Sequence, residues 1–360
     1  MMIADAVAIP IPAKIKQIDG LQILRAVAVL LVAWLHAGQM MDGWRTIELP
    51  HFAAFGIDIF FVISGFIMSS ILLNTKKAPG PGAMWGFLKR RLIRIFPIYW
   101  VFALLESARL IHGRGFFLQN YFPSFLLLPA LYPRYPLVLS FSWTMVFEMF
   151  FYYTLSLILL VTVKKSVPVS IAFFAAMVLL GEIVGVRQSV WVVFFSPLLL
   201  EFIFGAIAAL AFIRFGKQRT PGIFLLIIGV IVALWLRAYP EQGGAAGITM
   251  AVSTVGGMRH ILTWGLSAAL IVSGVVFWFP LIRTAPGKIA VALGNASYSA
   301  YLASALLIEY TARLLVKLGA PSVAKVALFQ SLTVGVVFLG GWISYQFVEH
   351  SMIRWLQEKL

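Results

Sequence analysis

Six ionisable side chains lie in or beside apolar stretches of this sequence, and their types and spacing suit an acid–base site next to an anion site. "LQILRAVAVLLVAWLHAG", residues 21–38, holds Arg25 and His36. A charged side chain at mid-bilayer costs about 2.5–3.5 kcal/mol on insertion scales, so such residues are rarely without a task. The two are eleven positions apart, which at about 100° per residue returns to within about 20° of one direction. Arg25 and His36 therefore share a helix face, roughly 16 Å apart along the axis. A cation toward one membrane surface and a titratable base toward the other describe a site that crosses the bilayer.

Two carboxylates fall at the depth of the histidine. Counted inward from outer helix ends near Phe52 and Phe141, Asp58 is about six residues deep, roughly 9 Å, and Glu148 about seven, roughly 10 Å. A carboxylate holds an imidazole in one tautomer and raises its basicity, so His36, Asp58 and Glu148 form a candidate acid–base cluster. In "KRRLIRIFPIYW", Arg91 and Arg94 are three apart on one helical face, with Pro97 permitting a kink beyond them. Paired guanidinium groups fork onto phosphate or carboxylate, and the same pair would also anchor lipid head groups. If Arg25 lies on their side of the membrane, the three cations make a seat for a polyanion. Glu106, Glu182, Glu201 and Glu309 are read as helix-linking groups. His51, His112, His260 and His350 are read as interfacial residues at loops or helix ends.

The elements that must position these groups are membrane helices. The 360 residues are 61% hydrophobic and 11% charged, against roughly 45–50% and 25% in soluble domains. Long apolar windows recur near 21–38, 52–73, 95–113, 141–163, 168–186, 190–213, 221–237, 258–280, 295–316 and 323–348. They predict an all-α, polytopic bundle of about ten spans. It is read as one domain over 1–360, with short tails at about 1–17 and 350–360 and no internal repeat. The first span lacks a clear small-residue cleavage site and is not read as a secretory signal. "NTKKAPGPGAMWGFLKRRLIR" breaks the pattern with a Pro/Gly turn and a basic amphipathic segment. Residues 114–140, with Pro123, Pro129, Pro133 and Pro136, are expected to fold over the outer mouth.

The net charge of +15 is a matter of topology, not of nucleic acid. Most of the lysines and arginines fall in the N-terminal tail, the even-numbered loops and the C-terminal tail, which places both termini in the cytoplasm. Gly56, Gly65 and Ser64 in "GIDIFFVISGF" suit close helix approach and a cross-helix hydrogen bond. The chain has no cysteine, which excludes disulfides, thiol nucleophiles and thiolate metal sites. No metal is expected.

"LRAVAVLLVAWLH", "GIDIFFVISGF", "RRLIRIFPIYW", "FSWTMVFEMFFY", "LLEFIFGAIAA", "GNASYSAYLAS" and "FVEHSMIRW" run in order from about residue 17 to 355. Together they resemble the acyltransferase-3 family of integral-membrane acyltransferases, most closely its short exopolysaccharide type. The resemblance implies an enzyme of the bacterial cytoplasmic membrane. It would take an acyl group, usually acetyl, from acyl-CoA to a glycan hydroxyl or a lipid-linked precursor. It also implies His36 as the essential histidine, Arg25, Arg91 and Arg94 as donor-side cations, and Glu148 as the acidic position of the Ser-Trp-x-x-x-x-Glu stretch. Ser304 stands where many members carry histidine. Direct transfer is preferred to an acyl-His36 intermediate, which stays open. The alternative is a proton-coupled transporter, which also places His, Asp, Glu and Arg within helices.

Charge asymmetry alone makes a testable statement. Reporter fusions after Lys76 and Lys165 should read cytoplasmic, and a fusion after Pro133 extracytoplasmic. The reverse pattern would put the arginines on the wrong side for a cytoplasmic donor.

Overall fold

A computed structural model describes residues 18–40, 54–113, 121–129, 137–186, 191–236, 254–279, 282, 284–317 and 323–359. The described residues form helices and connecting turns, with no strand among them. The helices are α1 (Asp19–Met40), α2 (Phe55–Leu73), α3 (Pro81–Gly113), α4 (Tyr121–Leu126), α5 (Trp143–Val161), α6 (Ser166–Val184) and α7 (Val192–Phe195). They continue as α8 (Leu199–Phe215), α9 (Arg219–Leu236), α10 (Thr254–His260), α11 (Leu266–Trp278), α12 (Ala285–Asn295), α13 (Ser297–Val316), α14 (Val323–Ser344) and α15 (His350–Lys359). Short π-helical segments, Ile261–Gly265 and Tyr345–Glu349, join α10 to α11 and α14 to α15.

Among the described residues seven helical stretches are long and apolar enough to cross a membrane, or eight if α12 and α13, bent by 67° at their junction, count as one. The chain is thus a multi-pass membrane protein. Each of the ten expected windows overlaps a helix, but three do not stand as separate apolar spans: 95–113, 190–213, and 295–316, which qualifies only joined to α12. The window at 95–113 is the second half of α3, a 33-residue helix that begins with the basic segment and runs through Pro97 without ending. The window at 190–213 is interrupted at Ser196–Leu198 and leaves α8 with 17 residues. The C-terminal tail expected from 350 is itself helical.

Burial separates two kinds of apolar helix. The apolar window of α2 is 78% buried and forms the centre, whereas those of α6 and α9 are only 28% and 22% buried. Leu179 and Ile183 of α6 and Phe224, Ile231 and Leu234 of α9 are exposed, as expected of faces turned to lipid. The core has three clusters, and α1 enters all of them: Val32 and Leu35 in one, Leu21 and Ala28 in the second, Val29, Ala33 and Ala37 in the third. The helix that carries Arg25 and His36 is therefore the hub. The described part of the expected outer cover packs on α3: the Tyr99 hydroxyl donates to the Ser124 carbonyl at 2.8 Å and Trp100 Nε1 to the Phe125 carbonyl at 2.8 Å. Pro133 and Pro136 lie outside the described residues.

Close approach depends on glycine where the sequence pattern expects it. A Cβ on Gly56 would stand 2.4 Å from the Ala28 carbonyl oxygen, and one on Gly65 2.1 Å from that of Phe202. Gly205 reciprocates on α8, where a Cβ would meet the Val62 carbonyl oxygen at 2.1 Å. Backbone cannot rotate away as a side chain can, so Gly65→Ala and Gly205→Ala should each cost about 1–3 kcal/mol or more. Gly335→Ala, where an added Cβ meets nothing, should be neutral or stabilising by about 0.5–1 kcal/mol. Thermal unfolding of detergent-purified variants checks the contrast; equal midpoints in all three would refute backbone contact between α2 and α8.

Candidate active site

A cavity of about 840 Å³ opens among α1, α2, α3, α5, α12, α13 and the π segment before α15. Arg25, Arg91, Arg94 and Glu148 all line it. Four of the six residues singled out in the sequence therefore converge, from three helices that are far apart in the chain.

The basic side of the cavity is built by α3. Its residues 87, 91 and 94 follow one face at helical spacing, which sets Arg91 over the Phe87 ring at 5.5 Å and Arg94 near the Tyr298 ring at 6.0 Å. Arg94 is ion-paired with Glu349, which is fully buried and accepts a hydrogen bond from the Ser299 hydroxyl at 2.5 Å. Arg25, one turn into α1, donates to the Gln22 side-chain oxygen at 3.2 Å. Arg91 is 2% exposed, and its Nε and Nη2 are buried without a hydrogen-bond partner. A buried guanidinium normally has every N–H taken. Unmet donors on a cavity wall are where an anion fits.

Glu148 faces the same cavity. It accepts hydrogen bonds from the Ser64 hydroxyl at 3.0 Å and from the Tyr152 hydroxyl. The cross-helix bond expected of Ser64 is made, and its partner is a candidate site residue. Neither Glu148 nor Asp58 bonds to the His36 ring: Asp58 is fully buried and its Oδ1 lies 2.7 Å from His260 Nε2. His36 is not among the lining residues; its ring stacks on Phe141, with centroids 3.6 Å apart. The Phe141 carbonyl accepts the Tyr301 hydroxyl, which also shares a 2.8 Å hydrogen bond with Thr144. Tyr301 and Thr144 line the cavity, so Phe141 connects the His36 ring to its wall.

Several residues of the site escaped the sequence reading. Glu349 was quoted in "FVEHSMIRW" without a role, although a carboxylate beside a late span is the signal one would look for. Tyr152 lies one turn beyond Glu148, a spacing that does place it within reach. His350 and Arg354, the latter read only as part of a tail, both line the cavity. His260 is 3% exposed; the interfacial reading fails because the π segment carries α10 directly into α11, keeping His260 inside the bundle. Glu106 and Glu309 behave as helix-linking groups, both paired with Arg109. Ser304 is buried and donates to the Tyr301 carbonyl at 2.6 Å.

The sequence profile of the acyltransferase domain named acyltransferase-3 matches residues 18–345. The chain belongs to that family. This acyltransferase-3 protein is 29% identical over 311 residues to "Exopolysaccharide production protein ExoZ" of Rhizobium meliloti (strain 1021), covering 84% of this chain and 90% of the relative. It is 28% identical over 192 residues to "Putative O-acetyltransferase SACOL0978" of Staphylococcus aureus (strain COL), 46% of this chain and 29% of the relative. A match to "Nodulation protein 10" of Rhizobium leguminosarum bv. viciae is 36% identical over 81 residues, 22% of this chain and 20% of that one. No solved structure matches.

The Arg94–Glu349 pair holds the last span to the basic face, and its removal is informative. Glu349→Gln or Arg94→Gln should each destabilise the acyltransferase by about 3–5 kcal/mol, because the remaining charge is buried without its partner. The double variant should be less destabilised than the sum, as read by thermal unfolding in detergent. Additive losses would show that the two charges do not depend on each other.

Proposed function

We propose that this acyltransferase moves an acyl group from acyl-CoA to a hydroxyl of an exopolysaccharide or its lipid-linked precursor, in the bacterial cytoplasmic membrane. Acetyl is the favoured group because it is the one most members of the family use. The name of the Rhizobium relative supports a polysaccharide acceptor, and that of the Staphylococcus relative supports O-acetyl transfer. Both termini and the arginine end of the cavity are assigned to the cytoplasm, where acyl-CoA is made. The whole chain then works as one catalytic domain of about ten membrane-embedded helices, three of them atypical spans.

The observation that carries this reading is the cluster of Arg25, Arg91 and Arg94 on one cavity, with the Arg91 Nε and Nη2 donors unmet. CoA presents phosphates at one end of a long, thin arm, and guanidinium groups bind phosphate in a bidentate, planar manner. An extended pantetheine arm is of the order of 15–20 Å by chain-length reasoning. The axial separation of Arg25 and His36, roughly 16 Å, is of that size. A donor held by its phosphates at the arginines would bring its thioester to the Tyr301–Phe141 end, beside His36.

The chemistry is one acyl transfer. His36 takes the proton of the acceptor hydroxyl as its oxygen attacks the thioester carbonyl carbon. The new C–O ester bond forms, the C–S bond breaks, and the CoA thiolate leaves with the proton returned from the imidazolium. Glu148, fixed by Ser64 and Tyr152, lies between the phosphate end and the reacting end. It balances the arginines and keeps them aimed at the donor. Asp58 acts on the reaction only through the position of α2. Transfer by purified protein in detergent, which has no second compartment, separates this reading from solute transport.

Two variants divide binding from chemistry. His36→Ala should abolish acyl transfer while CoA binding stays within about twofold, well under the tenfold that 1.4 kcal/mol represents. Arg91→Lys keeps the charge but loses the planar fork. The lost contact, about 1.5–3 kcal/mol, should weaken CoA binding roughly ten- to more than a hundredfold, with turnover recovered at saturating donor. Titration calorimetry and a labelled-acyl assay read both. Wild-type affinity in Arg91→Lys would reduce Arg91 to a lipid anchor.

A further inference from the structure

A second group of ionisable side chains lies away from the cavity. Asp58 in the first turn of α2, Glu201 in the first turn of α8 and His260 at the end of α10 are 0%, 0% and 3% exposed. One donor atom from each falls within 4.8 Å of the others. None of the three lines the cavity, so the acyl-transfer reading gives them no task.

Their hydrogen bonding is incomplete. The one bond joins His260 Nε2 to Asp58 Oδ1 at 2.7 Å. Asp58 Oδ2, both carboxylate oxygens of Glu201, and His260 Nδ1 are buried without partners. Buried polar atoms are nearly always satisfied, and four orphans at one point in the core call for an explanation. Charge gives the same message. Carboxylates set side by side in a place closed to water cost several kcal/mol per ion when ionised, unless a positive charge compensates.

A single added proton removes one charge and supplies one O–H donor, so it satisfies at most two of the four orphaned atoms. A divalent cation cancels the whole charge and accepts lone pairs from all three residues at once. Donor atoms at this separation reach a common centre, about 2.0–2.2 Å from each, by small side-chain rotations. Space for this exists on the Glu201 side only because residue 265 is glycine: a Cβ there would stand 2.9 Å from Glu201 Oε1. Gly265 lies in the π segment that immediately follows His260, a helix distortion frequent at functional sites.

We infer that Asp58, Glu201 and His260 bind a divalent transition-metal ion that ties α2, α8 and α10 together. Two carboxylates and one imidazole, with no thiolate, suit Zn²⁺ or Mn²⁺. The site is a clamp within the bundle, not part of the acyl-transfer chemistry, and it stands whether or not that reading holds. It fixes the start of α2, the helix whose Ser64 holds Glu148.

The test uses full-length protein carrying a tag without histidine, purified in detergent and stripped with 1,10-phenanthroline. Zn²⁺ and Mn²⁺ are then added separately, excess ion is removed, and bound metal is counted by plasma mass spectrometry alongside thermal unfolding. Wild type should retain about one equivalent of at least one ion and unfold at a higher temperature with it, as a ligand of the native state requires. Glu201→Gln and His260→Gln should lose both effects, and Glu106→Gln, a buried carboxylate elsewhere, should keep them. If the site variants do not fold, stripping and re-addition on wild type decide alone. Less than about 0.1 equivalent in wild type with no change in unfolding would overturn the inference, since a native-state ligand must raise stability. Retention of one equivalent by both site variants would overturn it as well.

Discussion

Four guanidinium groups, those of Arg25, Arg91, Arg94 and Arg354, share the wall of one cavity that only two carboxylates, Asp19 and Glu148, also line. Arg94 has Glu349, Glu148 lines the same cavity, and Arg91 keeps two unmet donors. Placing like charges together in a water-poor site is unfavourable unless the protein holds them and something negative arrives. Much of the surrounding structure answers that requirement. Ser299 holds Glu349, Ser64 and Tyr152 hold Glu148, and the Phe87 and Tyr298 rings lie beside the cations.

That arrangement depends on how the helices are brought together. Arginines 91 and 94 belong to the basic half of α3, which meets α13 through Tyr298 and the π segment after α14 through Glu349. Gly65 and Gly205 let α2 and α8 touch at their backbones, and on the neighbouring α5 Glu148 accepts the Ser64 hydroxyl of α2. At the far end of α3, Arg109 joins Glu106 to Glu309 of α13, the latter at 2.7 Å. The same two helices are also tied near the middle of α3, where the Tyr298 hydroxyl donates to the Ile95 carbonyl at 2.9 Å.

Much of this was legible in the sequence, for reasons that also mark where reading stopped. Apolar windows locate helices well, and counting from a helix end gives depth. Arg25, Arg91 and Arg94 read as one cationic seat, and the cavity unites them; Glu148, read with His36 and Asp58, lines that same cavity, whereas Asp58 does not. Counting gives no rotation about the helix axis, however. Asp58 and His36 lie at similar depth, yet Asp58 points to His260 and His36 to Phe141. Glu201 and His260 were unremarkable singly, and only the packing of three distant helices makes them a group. Composition windows also miss continuity, which is why the basic amphipathic segment and the third span read as two elements although α3 is one.

The central claim is that the arginine cavity receives the phosphates of CoA and that its arm runs toward His36. A cryo-electron microscopy structure of the purified protein with CoA tests this most directly. The account predicts phosphate density against Arg25, Arg91 and Arg94, with the pantetheine thiol at the Tyr301–Phe141 end beside His36. CoA density outside this cavity, or a thiol directed away from His36, would contradict it.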